Sequence, residues 1–192
     1  PAEFHPLNPS NKPFRHPAGM VTPYPDLRHF TTRDYGNRVG IFRILDALKA
    51  EGLKATIPVS AALLTRARPL VEAVLEDGHE IAAAGLHADA IHWGGMDTGE
   101  EQRRIAEVRA AFAGAGLDPK VWMSPARSQS HATPDLLAEA GFTATLDWET
   151  DQVPVAMRTK GGPLIALPVH NELEDFKLLN ERSQSEEVWR DQ

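Results

Sequence analysis

Between residues 38 and 148 the chain repeats one pattern: a stretch with apolar residues at helical spacing, then a glycine, then a short apolar run. "RVGIFRILDALKAEG" places Val39, Phe42, Leu45 and Leu48 on one helical face, widened by Ile41 and Ile44, with Gly52 at the C-cap position. The buried strand "KATIPVS" follows. "ARPLVEAVLEDG" carries Leu70, Val71, Val74 and Leu75 ahead of the strand "EIAAAG", and "GEEQRRIAEVRAAFAGAG" precedes "VWMSP". "TPDLLAEAG", with Thr133 as N-cap and Pro134 in its first turn, precedes "ATLDW", and "PLIALPV" is a further strand. Parallel strands need crossover connections, and a helix that stops at a glycine and turns back into a strand supplies one. The pattern therefore predicts an α/β fold with a parallel sheet and a barrel-like wrap.

A chain of 192 residues, 42% of them hydrophobic, can fill one core, so residues 1–192 are expected to form one domain. Residues 1–35 hold Pro6, Pro9, Pro13, Pro17, Pro23 and Pro25, each lacking a backbone donor, and show no periodicity. They are expected to form a long ordered loop, one that covers a substrate or meets a neighbouring subunit. "GMVTPYPDLRHF" in this stretch groups Tyr24, Asp26, Arg28 and His29.

The formal net charge is −7 and Lys and Arg do not cluster, which argues against nucleic acid as a partner, because a phosphate-binding surface needs concentrated cations. Without cysteine there are no disulfides, thiolate ligands or thiol nucleophiles. No eighteen apolar residues run together and the first residues lack a leader pattern, so a soluble, cytoplasmic protein without membrane contact is expected. Dinucleotide and P-loop glycine spacings are absent after every strand.

In parallel α/β folds, ligands gather at the carboxyl ends of the strands. The polar side chains just past those ends are His87, Asp89 and His92, then Ser124 and Arg127, then Asp147, Glu149 and Asp151, then His170 and Glu172. Carboxylates and imidazoles that move protons, beside an arginine that holds an oxyanion, suit chemistry at a carbonyl. Arg127 could hold a carbonyl or carboxylate, or pair with Asp147 or Glu149. Trp93, Trp122 and Trp148 could wall a pocket or belong to the core. The loop of His87, Asp89 and His92 reads as a substrate-side loop without metal; a divalent ion such as zinc on those three residues is the alternative.

"DYGNRVGIFRILDALKAEGLKAT", "EDGHEIAAAG", "SPARSQSHATPDLLAEAGF" and "LDWETDQVPVAMRTKGGPLIALPVHNELED", in that order, resemble the polysaccharide deacetylase (NodB-like) superfamily, nearest its allantoinase and cyclic-imide hydrolase branch. The resemblance implies a distorted, incomplete (β/α) barrel that hydrolyses non-peptide C–N bonds of N-acetyl sugars or small cyclic ureides and imides. It places Glu3 in the first acidic motif, Ser124, Pro125 and Arg127 in the third, and Asp147 and Trp148 in the fourth. The family's two metal histidines fall at Ala84 and Ala88, and its final Leu-His motif is absent, so the chain reads as shortened at both ends. The resulting expectations are catalytic roles for Glu3, His92, Arg127 and Asp147, and substrate contacts from His87, Trp93, Ser124, Trp148, His170 and Glu172. The substrate would be a small molecule or oligosaccharide, and this branch resembles homo-oligomers. A catalytically incompetent domain that binds carbohydrate or a small molecule is the other reading.

Overall fold

The computed structural model describes residues 1–9, 25–170, 174–183, 185 and 187–188. Six strands form one sheet: β1 (Thr56–Val59), β2 (Glu80–Ala83), β3 (Val121–Trp122), β4 (Ala144–Thr145), β5 (Val155–Thr159) and β6 (Gly162–Ala166). Their order is β1-β2-β3-β4-β6-β5; all neighbours run parallel except the β5–β6 hairpin. The sheet stays open, as an incomplete barrel should. Beyond β1, Ala2 forms a parallel bridge to Val59, donating to Pro58 O at 2.8 Å and accepting from Ser60 N at 3.0 Å. The segment carrying Glu3 thus lies alongside the sheet as a one-residue continuation of it.

Helices α1 (Leu27–Tyr35), α2 (Ile41–Ala50), α3 (Leu63–Arg66), α4 (Arg68–Glu76), α5 (Thr98–Gly114) and α6 (Thr133–Glu139) supply the connections. On α4 the predicted Leu70, Val71 and Val74 are buried while Leu75 is exposed, and on α5 the buried apolar residues are Ile105, Val108 and Phe112. These meet Val59, Ala83, Trp122, Leu137, Phe142 and Leu164 in one core, where Trp122 packs edge-on to Phe142 with ring centroids 5.1 Å apart. Each large apolar side chain fully buried there contributes about 1.5–3 kcal/mol. No helix among the described residues is long and apolar enough to cross a membrane.

Four expectations need correction. The loop read over residues 1–35 ends at Asp26, whose carboxylate caps α1 by accepting from Arg28 N and His29 N; a good N-cap starts a helix without an apolar stripe. A π-helical turn, Gly36–Gly40, joins α1 to α2, and the stripe predicted from Val39 holds only in part: Leu45 is buried and Ile41 and Phe42 are half-buried against the core, whereas Val39 and Ile44 are exposed. Thr133 is the first helical residue of α6 rather than its cap, and its hydroxyl is engaged elsewhere. Finally, β5 was not anticipated; its alternation of half-buried and exposed residues before "KGG" is a hairpin signal.

Candidate functional site

The carboxyl ends of β3, β4 and β6 open onto a cavity of about 780 Å³, lined by Glu3, Met123, Arg127, Asp147, Val169 and His170 among others. Glu3 reaches it because its segment is held on several sides. Its carbonyl accepts from Asn37 Nδ2 at 2.8 Å, and the next residue, Phe4, accepts from Ala88 N at 2.9 Å. Burial pushes the Glu3 carboxyl above its usual value, outweighing the nearby Pro1 amine and Arg33.

Arg127 sits on a short 3₁₀ turn, Pro125–Arg127, in which Ala126 and Arg127 both adopt left-handed backbone, φ 56° and 51°. Side-chain-bearing residues rarely stay there unless their surroundings impose it. The turn also packs tightly against the end of β2: a Cβ on Gly85, itself at φ +59°, would lie 2.5 Å from Pro125 Cγ. The guanidinium donates to Val169 O at 2.8 Å and to Glu149 Oε2 at 3.2 Å, and His170 Nδ1 lies 3.6 Å from Glu149 Oε1. Glu149 therefore links Arg127 and His170, two side chains that line the cavity.

Asp147 lines the same cavity. It accepts from Ser124 N at 2.7 Å, Ser124 Oγ at 2.8 Å and Thr145 Oγ1 at 3.0 Å, and also from Gln129 Nε2. Burial raises its carboxyl despite these donors. Ser124 is itself fully buried and accepts from the Trp122 indole at 2.9 Å, so it serves the frame of the rim. A second cavity of about 510 Å³ shares Arg127 and Asp147 with the first and adds Trp148, Gln129 and Met157. Trp148 is 39% exposed and is oriented by its indole donation to Gln129 Oε1 at 2.7 Å.

The structure thus brings together Glu3, Arg127, Asp147 and His170, with Trp148 next door. His92, His87 and Trp93 do not line either cavity. His92 is buried beneath the rim, where its Nδ1 lies 2.8 Å from Glu101 Oε1 and its ring packs edge-on to Trp122. Trp93 is largely exposed, and His87 is half-buried with Nδ1 lacking a hydrogen-bond partner among the described residues; burial pushes its imidazole pKa down. Glu172 lies outside the described residues, as does Tyr24.

The zinc alternative on His87, Asp89 and His92 is not supported. Among the described residues no group of three His, Asp or Glu side chains could hold a metal ion. Ala84 and Ala88, where the family resemblance puts metal histidines, are buried methyl groups without a donor atom. One participant went unnoticed in the sequence: Glu101. It lies on the same α5 face as Ile105, Val108 and Phe112 and is fully buried. A carboxylate at an apolar position of a helical stripe was the available signal.

These features define a polysaccharide-deacetylase type of open α/β barrel, and the chain belongs to the polysaccharide deacetylase family, whose model matches residues 25–145. No match is found among curated proteins. Among solved structures, a Mycobacterium smegmatis protein named as a polysaccharide deacetylase is 26% identical with a TM-score of 0.72, over 79% of this chain and 52% of that one. PuuE allantoinase is 25% identical with a TM-score of 0.71, over 80% of this chain and 51% of its own. A Pseudomonas aeruginosa protein named in the same way as the first shares the fold at 24% identity and a TM-score of 0.71. The chain spans about half the length of these relatives.

Proposed function

We propose that the larger cavity hydrolyses a non-peptide C–N bond, in an N-acetylated sugar or a small cyclic ureide or imide. The supporting observation is that Glu3, Arg127 and His170 meet in one cavity at the carboxyl end of the sheet. Glu3, made more basic by burial, takes a proton from water. The resulting hydroxide adds to the carbonyl carbon, and Arg127 holds the oxyanion. As the C–N bond breaks, His170 gives a proton to the leaving nitrogen. Asp147, its oxygens occupied by four donors, orients the rim beneath the carbonyl. Among the described residues no group of three His, Asp or Glu side chains is placed to hold a metal ion, and no step is assigned to one.

A binding module is the second reading, favoured by the saturation of Asp147 and by the two contacts that already pin Arg127. One experiment separates the two. The protein is incubated with N-acetylglucosamine oligomers, allantoin, hydantoin and succinimide, with EDTA or with added zinc. Turnover that survives EDTA and falls about a hundred- to ten-thousand-fold in Glu3→Gln supports the hydrolase. Binding of one of these compounds without turnover, lost in Arg127→Ala, supports the module. Full activity in both variants refutes the assigned roles.

A further inference from the structure

The hydrolase reading leaves a fully buried carboxylate unused. Glu101 is 0% exposed, in the first turns of α5, and takes part in no step above. It accepts from three donors on two separate segments: His92 Nδ1 at 2.8 Å, Ser130 Oγ at 2.5 Å and Thr133 Oγ1 at 2.5 Å. A carboxylate can only accept, so His92 presents Nδ1–H to it. The two segments are joined again where Ser128 Oγ donates to His92 O at 2.6 Å, and within the second Ser130 N donates to Thr133 Oγ1 at 2.9 Å. Together these bonds fix residues 128–133 to α5 and to the loop after β2. Asp147 fixes the other end of the same segment at Ser124. Between the two anchors lie Ala126 and Arg127 with their left-handed backbone. Such a conformation persists only when its flanks are over-determined, and Glu101 supplies one of the two flanks.

We propose that Glu101 is a positioning residue: from beneath the rim, through His92, Ser130 and Thr133, it holds the 124–130 turn so that Arg127 points into the cavity. This rests on Arg127 having the role given above. His92 accordingly belongs to the support of the site.

The test reads Arg127 directly, so that it does not depend on turnover. The rate of phenylglyoxal modification of each arginine is followed by peptide mass spectrometry in the full chain, with Glu101→Gln, Glu101→Met and Ser130→Ala. In the parent protein Arg127 is protected by Val169 O and Glu149. Glu101→Met and Ser130→Ala should each speed modification of Arg127 by about tenfold, the equivalent of one lost buried hydrogen bond. Arg109, held by Asp118 and Pro119 O on the far end of α5, should not change. Glu101→Gln keeps an acceptor for His92 and Thr133, and its amide can donate to Ser130 once that hydroxyl turns, so it should restore the parent rate. If Glu101→Met does not fold, Ser130→Ala and Glu101→Gln still decide the matter. Unchanged Arg127 reactivity in Ser130→Ala, or equal acceleration at Arg109, overturns the proposal. Where a compound from the panel is turned over, loss of activity in Glu101→Met should disappear in an Arg127→Ala background, whereas additive losses would refute coupling through Arg127. Absence of turnover across the panel counts against the hydrolase and leaves the reactivity result standing.

Discussion

At the scale of single residues, the buried carboxylates divide into two electrostatic types. Desolvation acts on each of them and disfavours the charge. At Glu101 the hydrogen bonds from His92, Ser130 and Thr133 overcome it, and the carboxyl is held below the ordinary glutamate value. At Asp147 and Glu3 desolvation wins and the carboxyls are raised. The signs of the resulting pH dependences are opposite. A depressed carboxyl stabilises the fold above its unfolded-state pKa, and that contribution disappears as pH falls through the folded value; a raised one favours the fold when protonated and loses that advantage as pH rises through the folded value. Urea unfolding between about pH 3 and pH 7 should therefore show the stability lead of the parent over Glu101→Gln growing with pH. The difference between the parent and Asp147→Asn should move the other way. Parallel profiles for all three proteins would show that burial and hydrogen bonding balance differently from this account.

At the scale of elements, the alternation of helical stripes, glycines and apolar runs was enough to place β1 to β4, β6 and helices α2 and α4 to α6, because burial acts along each segment in turn. The N-terminal helix α1 was hidden because only His29 of its residues is buried, so capping and not a stripe marks it. The candidate site was legible in part for the same reason. Strand-end position singles out Arg127, Asp147 and His170, whereas which side of a loop faces the cavity depends on cross-chain bonds such as His92 to Glu101, which no local pattern encodes. Gly85 shows a contact between elements that can be tested. Its φ of +59° is one that a side chain resists, and Pro125 occupies the space a Cβ would need. Gly85→Ala should cost about 2–4 kcal/mol, from left-handed backbone together with overpacking. Gly94, on the neighbouring loop with nothing within 4 Å of its Cβ position, is the control and should tolerate alanine. Equal melting temperatures for the two variants would mean that the β2 and β3 ends are not locked as described.

At the scale of the molecule, the sheet is graded. β2 is flanked by strands on both sides, with Ala82 and Ala83 fully buried, and its neighbours bond across its ends through Ala84 N to Val59 O and Met123 N to Ala83 O. β5 has β6 on one side only and alternates half-buried with exposed residues. Beyond the β4–β6 pairing and buried Leu164, the hairpin is held at its turn, where Gly161 sits so close to α6 that a Cβ would lie 2.4 Å from Glu139 N. Amide exchange follows the free energy of the smallest opening that exposes a group, so a hairpin attached at one edge and one turn should open without the sheet. Native-state hydrogen exchange should find β2 amides protected nearly to the global unfolding limit and β5 amides exchanging through a smaller opening. Because β6 also carries the strand end leading to Val169 and His170, such an opening would loosen one wall of the cavity while leaving Ala2, bridged to β1, and the adjoining Glu3 in place. If β5 and β2 amides instead exchange together across a denaturant series, the sheet opens as one unit and that wall has no mobility of its own.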